Sequence, residues 1–343
     1  LTIYSESQAL HRGRCELSDG ELVPCFESPE RATLVLDAVR QARLGDVSSP
    51  DTFGIEPLTR IHDRHFVEFL RTAWDLWGAE GRAHDALPYC SAVRGMRAVE
   101  PEHIDGKLAY YAFDTSTPLT AGTWEAASAA ADVALTGAAK LLEGSECVFS
   151  LCRPPGHHAA VDYYGGYCFL NNAAIAAQFL VDHGAKRVAI LDIDYHHGNG
   201  TQSIFYSRSD VLFVSIHGDP RQEYPYFLGH ADERGTGDGE GYNLNLPLRW
   251  QTPAADWLGA LATGLRRISE FSPSYLLVSL GVDTFIDDPI SQFRLQTGDY
   301  LDVGARIAGL CLPVLFVLEG GYAIDDIGAN VVNVLTGAAR TAD

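Results

Sequence analysis

The chain has 343 residues, with 25 Lys and Arg against 45 Asp and Glu, a formal charge of −20 with histidine neutral. That acid excess excludes nucleic acid, which is held by basic surfaces that release counterions, and favours a cationic ligand; part of it also serves solubility. With 46% apolar and only 20% charged residues, the composition excludes a disordered chain and supports a large core.

The opening LTIYSE has no basic and apolar leader pattern, and no apolar run approaches the roughly 18–20 residues needed to span a bilayer. Seven scattered cysteines never form a Cys-x-x-Cys pair. A soluble cytoplasmic protein with reduced thiols is therefore expected, without a disulfide framework or a zinc-thiolate site. In chain order, Ser28-Pro29-Glu30 starts a helix running over Ala32–Ala42. The stretch from Trp77 to about Thr120 lacks clean periodicity and is expected to be a long inserted loop that shapes a mouth or an interface. The apolar run Cys147–Leu151 predicts a buried strand, and Asn172–His183 a helix stopped by Gly184. Val188–Asp194, Val211–Ile216, Tyr275–Leu280 and Pro313–Leu318 are further buried strands, and Thr252-Pro253 starts a helix over Ala254–Phe271. The glycine-rich segment 235–241 has no lysine and follows no clear strand, so it is expected to be a mobile loop and not a phosphate cradle. Strands apolar on both faces and alternating with helices define an α/β class with a parallel sheet covered on both sides, in one domain over 1–343.

In such sheets ligands bind beyond the carboxyl ends of the strands. RPPGHH at 153–158, DYHHGNG at 194–200, GVD at 281–283 and EGGY at 319–322 each follow a predicted strand end. Asp192, Asp194 and His196 are spaced by two and share one side of an extended segment. Asp194 and His196, joined by Asp283, supply oxygen and nitrogen ligands for a divalent ion and leave a position open. Two carboxylates neutralise such an ion and weaken its pull on a carbonyl, so an added hydrogen-bond donor would help, and Tyr322 after Gly320-Gly321 is placed to be one. His157 and His158 are candidates for proton transfer, Asp192 favouring imidazolium on one and Asn199 fixing the tautomer of the other.

Together with LDIDYHHGNGT at 191–201, SLGVD at 279–283, GTWEA at 122–126 and YYGGYCFLNN at 163–172, these motifs closely resemble the histone deacetylase superfamily, and within it the acetylpolyamine amidohydrolases, over residues 2–338. The resemblance implies an arginase/deacetylase-like fold, with an eight-stranded parallel sheet flanked by helices on both faces. It also implies release of acetate from N-acetylated polyamines such as acetylputrescine, acetylcadaverine or acetylspermidine by one catalytic Zn2+, with Fe2+ or Co2+ as alternatives. Carried over, Asp194, His196 and Asp283 hold that ion. His158 is the general base and then acid, His157 its electrostatic partner near Asp192, and Tyr322 the oxyanion donor. A structural K+ would sit on Asp192, Ser215 and backbone oxygens of Asp194 and His196. Tyr167 and Tyr224 match the aromatic tunnel walls, with Gly166 and Gly320 beside them. Glu16 and Asp105 match acidic residues of the mouth, while Ser116 stands where another glutamate is expected. Similar polyamine enzymes are homodimers, and Trp74, Trp77, Pro88 and Tyr89 are either interface contacts or core. Three rivals stand beside this reading: a protein acetyl-lysine deacetylase, a binuclear manganese ureohydrolase, and a non-enzymatic binding protein.

Overall fold

The computed structural model describes residues 1–93 and 95–339. Its strands are β1 (Thr2–Ile3), β2 (Glu16–Ser18), β3 (Glu21–Val23), β4 (Val47–Ser48), β5 (Cys147–Ser150), β6 (Val188–Asp192), β7 (Val211–Gly218), β8 (Asn243–Leu248), β9 (Tyr275–Leu280) and β10 (Val314–Leu318). The helices are α1 (Pro29–Ala42), α2 (Arg64–Ala79), α3 (Ile104–Tyr111), α4 (Thr123–Leu142), α5 (Asn172–Asp182), α6 (Asn199–Phe205), α7 (Ala254–Phe271), α8 (Asp299–Ala308) and α9 (Ile327–Ala339). Eight strands form one parallel sheet in the order β4-β1-β5-β10-β9-β6-β7-β8, and β2 and β3 make a separate hairpin.

Successive strand residues point to opposite faces, and the packing follows that period. Ile190, Phe213, Leu277 and Leu315 join a core with α2, α4 and α5, whereas Leu191, Val214, Val278 and Phe316 join one with α1, α7, α8 and α9. Both faces are thus apolar, as buried parallel strands require. No helix among the described residues is long and apolar enough to cross a membrane.

Three expectations are corrected. The strand expected to reach Asp194 ends at Asp192, because the Asp192 carboxylate accepts the Asp194 N–H at 3.1 Å and turns the chain out of the sheet. The segment 77–120 is not all loop: α2 runs into it, and α3 lies within it, with Ile104, Leu108 and Tyr111 buried. Of the two readings left open for the aromatics there, Trp77 takes the core one, its indole donating to the His84 carbonyl, while Tyr89 is exposed. Segment 235–241 is tied down rather than free: Gly241 N–H donates to Arg234 O at 2.7 Å and Thr236 N–H to Tyr206 O at 2.9 Å.

Candidate active site

The loops leaving β5, β6, β9 and β10 converge at the carboxyl edge of the sheet. Asp194 and His196 follow β6, Asp283 follows the adjacent β9, and their ligand atoms lie within 4.8 Å of one another, all buried. His196 Nδ1 is 3.1 Å from Asp283 Oδ2 and 3.4 Å from Asp194 Oδ1. Backbone donors aim the carboxylates: Gly320 N–H reaches Asp194 Oδ2 at 2.8 Å, and Tyr195 N–H reaches Asp283 Oδ1 at 2.8 Å. Burial and neighbouring Asp194 push Asp283 up to about 8; burial opposes ionisation of Asp194 too, but His157 and His196 hold it below the usual carboxylate range. Two carboxylates facing each other out of water are relieved either by a proton or by a cation between them.

Gly320 leaves room for such a cation. A Cβ there would fall 2.5 Å from Asp194 Oδ2 and 2.6 Å from Asp283 Oδ2, so only glycine lets β10 approach both ligands. One nitrogen and two carboxylates form a donor set suited to Zn2+ or another first-row dication.

Across the site, His157 Nδ1 is 3.0 Å from Asp192 Oδ2, and its Nε2 is 3.7 Å from Asp194 Oδ1. Burial works against the charge on His157, but Asp194 and Asp192 outweigh it and raise this histidine to about 10. His158 instead faces a neutral partner, with Nδ1 2.6 Å from Asn199 Oδ1. Its pKa falls well below the ordinary value, through burial first and then the nearby charge of His157 and His196. Nδ1–H donates to Asn199, which leaves Nε2 free to accept a proton. The adjacent rings, 4.0 Å apart, are thus pushed in opposite directions by their surroundings.

Tyr322 hangs from the turn after β10, fixed by Asp288, whose Oδ2 accepts the Tyr322 N–H at 2.7 Å. The Arg31 guanidinium lies 4.7 Å from the ring centroid and donates to the Gly321 and Glu319 carbonyls at 2.6 Å each. Arg31 and Arg153 share the buried Glu27, so one ion cluster anchors both the turn and the start of the histidine loop. The Tyr322 hydroxyl has no hydrogen bond to another described side chain in this arrangement, which leaves it free for a ligand.

A cavity of about 570 Å³ opens onto His158, His196 and Tyr322. Tyr167 and Tyr224 line it, as does Gly166, whose φ of 55° and lack of a Cβ admit His158 close behind it. Each tyrosine is tethered by a carboxylate: Tyr167 O–H donates to Glu16 at 2.7 Å, and Tyr224 O–H to Asp114 at 2.9 Å. Asp114 also takes the Gly166 N–H at 2.6 Å. Burial lifts Glu16 to about 7, although the Tyr167 hydroxyl offsets part of the rise. Asp105 does not join this cavity within the chain. It sits on α3 in a forked pair with Arg82, whose positive charge holds it ionised and cancels it as a lure for cations. The acids that do line the cavity are Glu16, Asp19, Asp114 and Glu223, with Ser116 beside Asp114. Sequence reasoning missed Asp19, Asp114 and Glu223, for which no local motif gave a signal.

Ser215 and Asp192 are register partners across β6 and β7. Ser215 Oγ is 2.7 Å from His217 Nδ1, while Asp192 Oδ1 takes the Asp194 N–H.

The model of the histone deacetylase domain matches residues 25–338. The chain is 59% identical over 337 residues to Acetylpolyamine amidohydrolase 2 of Pseudomonas aeruginosa, covering 98% of each chain. It is 49% identical to Acetylpolyamine amidohydrolase of Mycoplana ramosa, covering 98% of this chain and 99% of that one. The crystal structure of acetylpolyamine aminohydrolase from Burkholderia pseudomallei superposes with a TM-score of 0.93 at 42% identity, over 98% of this chain and 97% of that one.

Proposed function

The chain belongs to the histone deacetylase family, and from that premise we propose that it hydrolyses the acetyl amide of N-acetylated polyamines, releasing acetate and the free amine, as one catalytic domain. The observation that carries this reading is the cavity itself. It ends on His158, His196 and Tyr322, is walled by two tyrosines, and is lined by four carboxylates with no lysine or arginine among the described residues. A slim chain bearing ammonium groups matches such a lining in both shape and charge.

Asp194, His196 and Asp283 would hold the dication, which we take to be Zn2+ with Fe2+ or Co2+ as substitutes. When bound, it would polarise the amide carbonyl and acidify water. The chain's own groups do the rest. Tyr167 and Tyr224 hold the methylene chain extended, so that the amide arrives at the His158 end. His158 accepts the proton of the attacking water at Nε2 while Asn199 keeps its Nδ1–H in place. His157, kept cationic by Asp192, lowers the cost of negative charge developing next to it. Tyr322 donates its O–H to the oxyanion, and His158 returns its proton to the departing nitrogen. A K+ ion on Asp192 and Ser215, with backbone oxygens of Asp194 and His196, belongs to the same proposal.

We also assign the segment after α2 to a homodimer interface. Tyr89, Val93, Met96 and Val99 are exposed there, beside a shallow apolar groove. Sedimentation at micromolar concentration tests it, and a monomer would remove the assignment.

The experiment on function compares kcat/KM for acetylputrescine, acetylcadaverine and acetylspermidine with that for an acetyl-lysine peptide, on protein loaded with one equivalent of zinc. Preference for the small acetylated amines by tenfold or more is expected. Equal or better turnover of the peptide would make the chain a protein deacetylase with the same chemistry.

A further inference from the structure

Beside the histidine pair lie two side chains, Cys168 and Glu319, that the proposed hydrolysis leaves unused. Cys168 and Glu319 are buried, and together with His157 they present a sulfur, a carboxylate oxygen and an imidazole nitrogen, all within 4.8 Å of one another. The Cys168 thiol donates weakly to Gly166 O at 3.2 Å. Glu319 Oε2 accepts the Gly156 N–H at 2.6 Å and the His157 N–H at 3.1 Å, but Oε1 is buried with no hydrogen-bond partner among the described residues. An orphaned carboxylate oxygen in a dry interior is costly, and an acceptor is completed only by a donor or a cation. Burial accordingly drives Glu319 up to about 7. His157 commits Nδ1 to Asp192, which leaves Nε2 as the nitrogen available to a ligand.

We propose that His157, Cys168 and Glu319 form a second cation site, distinct from Asp194, His196 and Asp283, which takes a thiophilic dication such as Co2+, Cd2+ or excess Zn2+ and arrests turnover when filled. A tetrahedral ion with bonds of about 2.0–2.3 Å holds its ligand atoms roughly 3.3–3.8 Å apart, so the trio closes by about 1 Å through side-chain rotation. Charge balances on binding: the thiol proton and the Nε2 proton of the His157 imidazolium both leave to solvent, thiolate plus carboxylate match the two charges of the ion, and the imidazole, its Nδ1–H still on Asp192, is the neutral third ligand. Burial, reinforced by Glu319, holds that thiol proton tightly in the empty site. Only an ion with strong sulfur bonds displaces it, so hard cations such as Mg2+ are excluded. Arrest follows because the ion takes His157 away from the pair it forms with His158; this arm rests on the proposed function.

Cobalt titration tests the site. The first equivalent goes to oxygen and nitrogen ligands and gives no sulfur-to-cobalt charge-transfer band. The second equivalent is expected to produce that band and to lower turnover at least tenfold in parallel. Cys168→Ser should keep full turnover with one equivalent, lose the band, and require at least tenfold more cobalt for inhibition. Glu319→Gln, which keeps an oxygen for the two N–H groups, should weaken the second site while preserving the band at saturation. A band that persists in Cys168→Ser would place the ion on another cysteine and overturn the proposal, as would a second equivalent bound without a band. The spectrum does not depend on turnover. A protein that showed the band yet left acetylated polyamines intact would defeat the proposed function and leave this site standing.

Discussion

Replacing Gly320 with alanine probes the dication centre by adding a single methyl group. The new Cβ would lie 2.5 Å from Asp194 Oδ2 and 2.6 Å from Asp283 Oδ2. Ordinary carbon–oxygen approaches begin near ~3.3 Å, so each oxygen is about 0.7–0.8 Å too close. Both oxygens belong to proposed ligands, and metal sites tolerate displacements of only about 0.2 Å. Affinity for the ion should therefore fall by about 10–100-fold, or about 1.4–2.7 kcal/mol. Backbone strain does not contribute, because the positive φ of this turn, 131°, belongs to Gly321 and not to Gly320. Competition with a chromophoric chelator measures the affinity, and circular dichroism checks the fold. Gly259→Ala on α7, where a Cβ meets nothing within 4 Å, is the matched control. Zinc affinity within threefold of wild type in Gly320→Ala, with unchanged kcat, would show that the ion is not held between these two carboxylates.

Three further outcomes follow from the same geometry. Tyr322→Phe retains the ring against Tyr167 and Arg31 but removes the donor, so kcat should drop about 10²–10³-fold with KM little changed, and a drop below tenfold would remove Tyr322 from the chemistry. Asn199→Asp puts a carboxylate 2.6 Å from His158 Nδ1 and favours its imidazolium; the acid limb of kcat/KM should move about 1–3 pH units higher, and an unmoved limb would mean that His158 is not the base. Arg153→Ala breaks its buried pair with Glu27 and should lower the unfolding free energy in urea by about 3–5 kcal/mol, whereas a loss under ~1 kcal/mol would contradict the anchoring role. Burial opposes ionisation of Glu27, but Arg153 and Arg31 outweigh it and lower its pKa in the folded state. The stability it contributes is therefore complete above the ordinary value of 4.5 and disappears as pH falls through the folded value.

The elements legible in the sequence were those with a physical boundary on each side. β9 spans Tyr275–Leu280 as expected, an apolar run between Pro273 and Gly281, and α7 spans Ala254–Phe271 between Pro253 and a left-handed Ser272. β1 and β4 have two residues each, too few to show any period, and β8 is interrupted by Asn245 and Pro247. The residues gathered about the candidate ion were readable because each directly follows a strand end, where parallel topology leaves little choice of direction. The mouth was not. Whether an acid faces the cavity or an arginine depends on contacts between distant segments, as Asp105 with Arg82 and Asp114 with Tyr224 demonstrate.

The strand order has a consequence for how the enzyme is made. β10, the last of the described strands in chain order, is inserted between β5 and β9, and among the described residues no other strand joins β4-β1-β5 to β9-β6-β7-β8. The histidine pair belongs to the first group, and Asp194, His196 and Asp283 to the second. Translation up to residue 313 therefore yields two half-sheets with open edges and no shared catalytic centre, and the same segment that docks them delivers Tyr322. Activity should emerge abruptly, once β10 has docked, and variants that slow that docking should accumulate as edge-exposed, aggregation-prone species rather than as weakened enzyme.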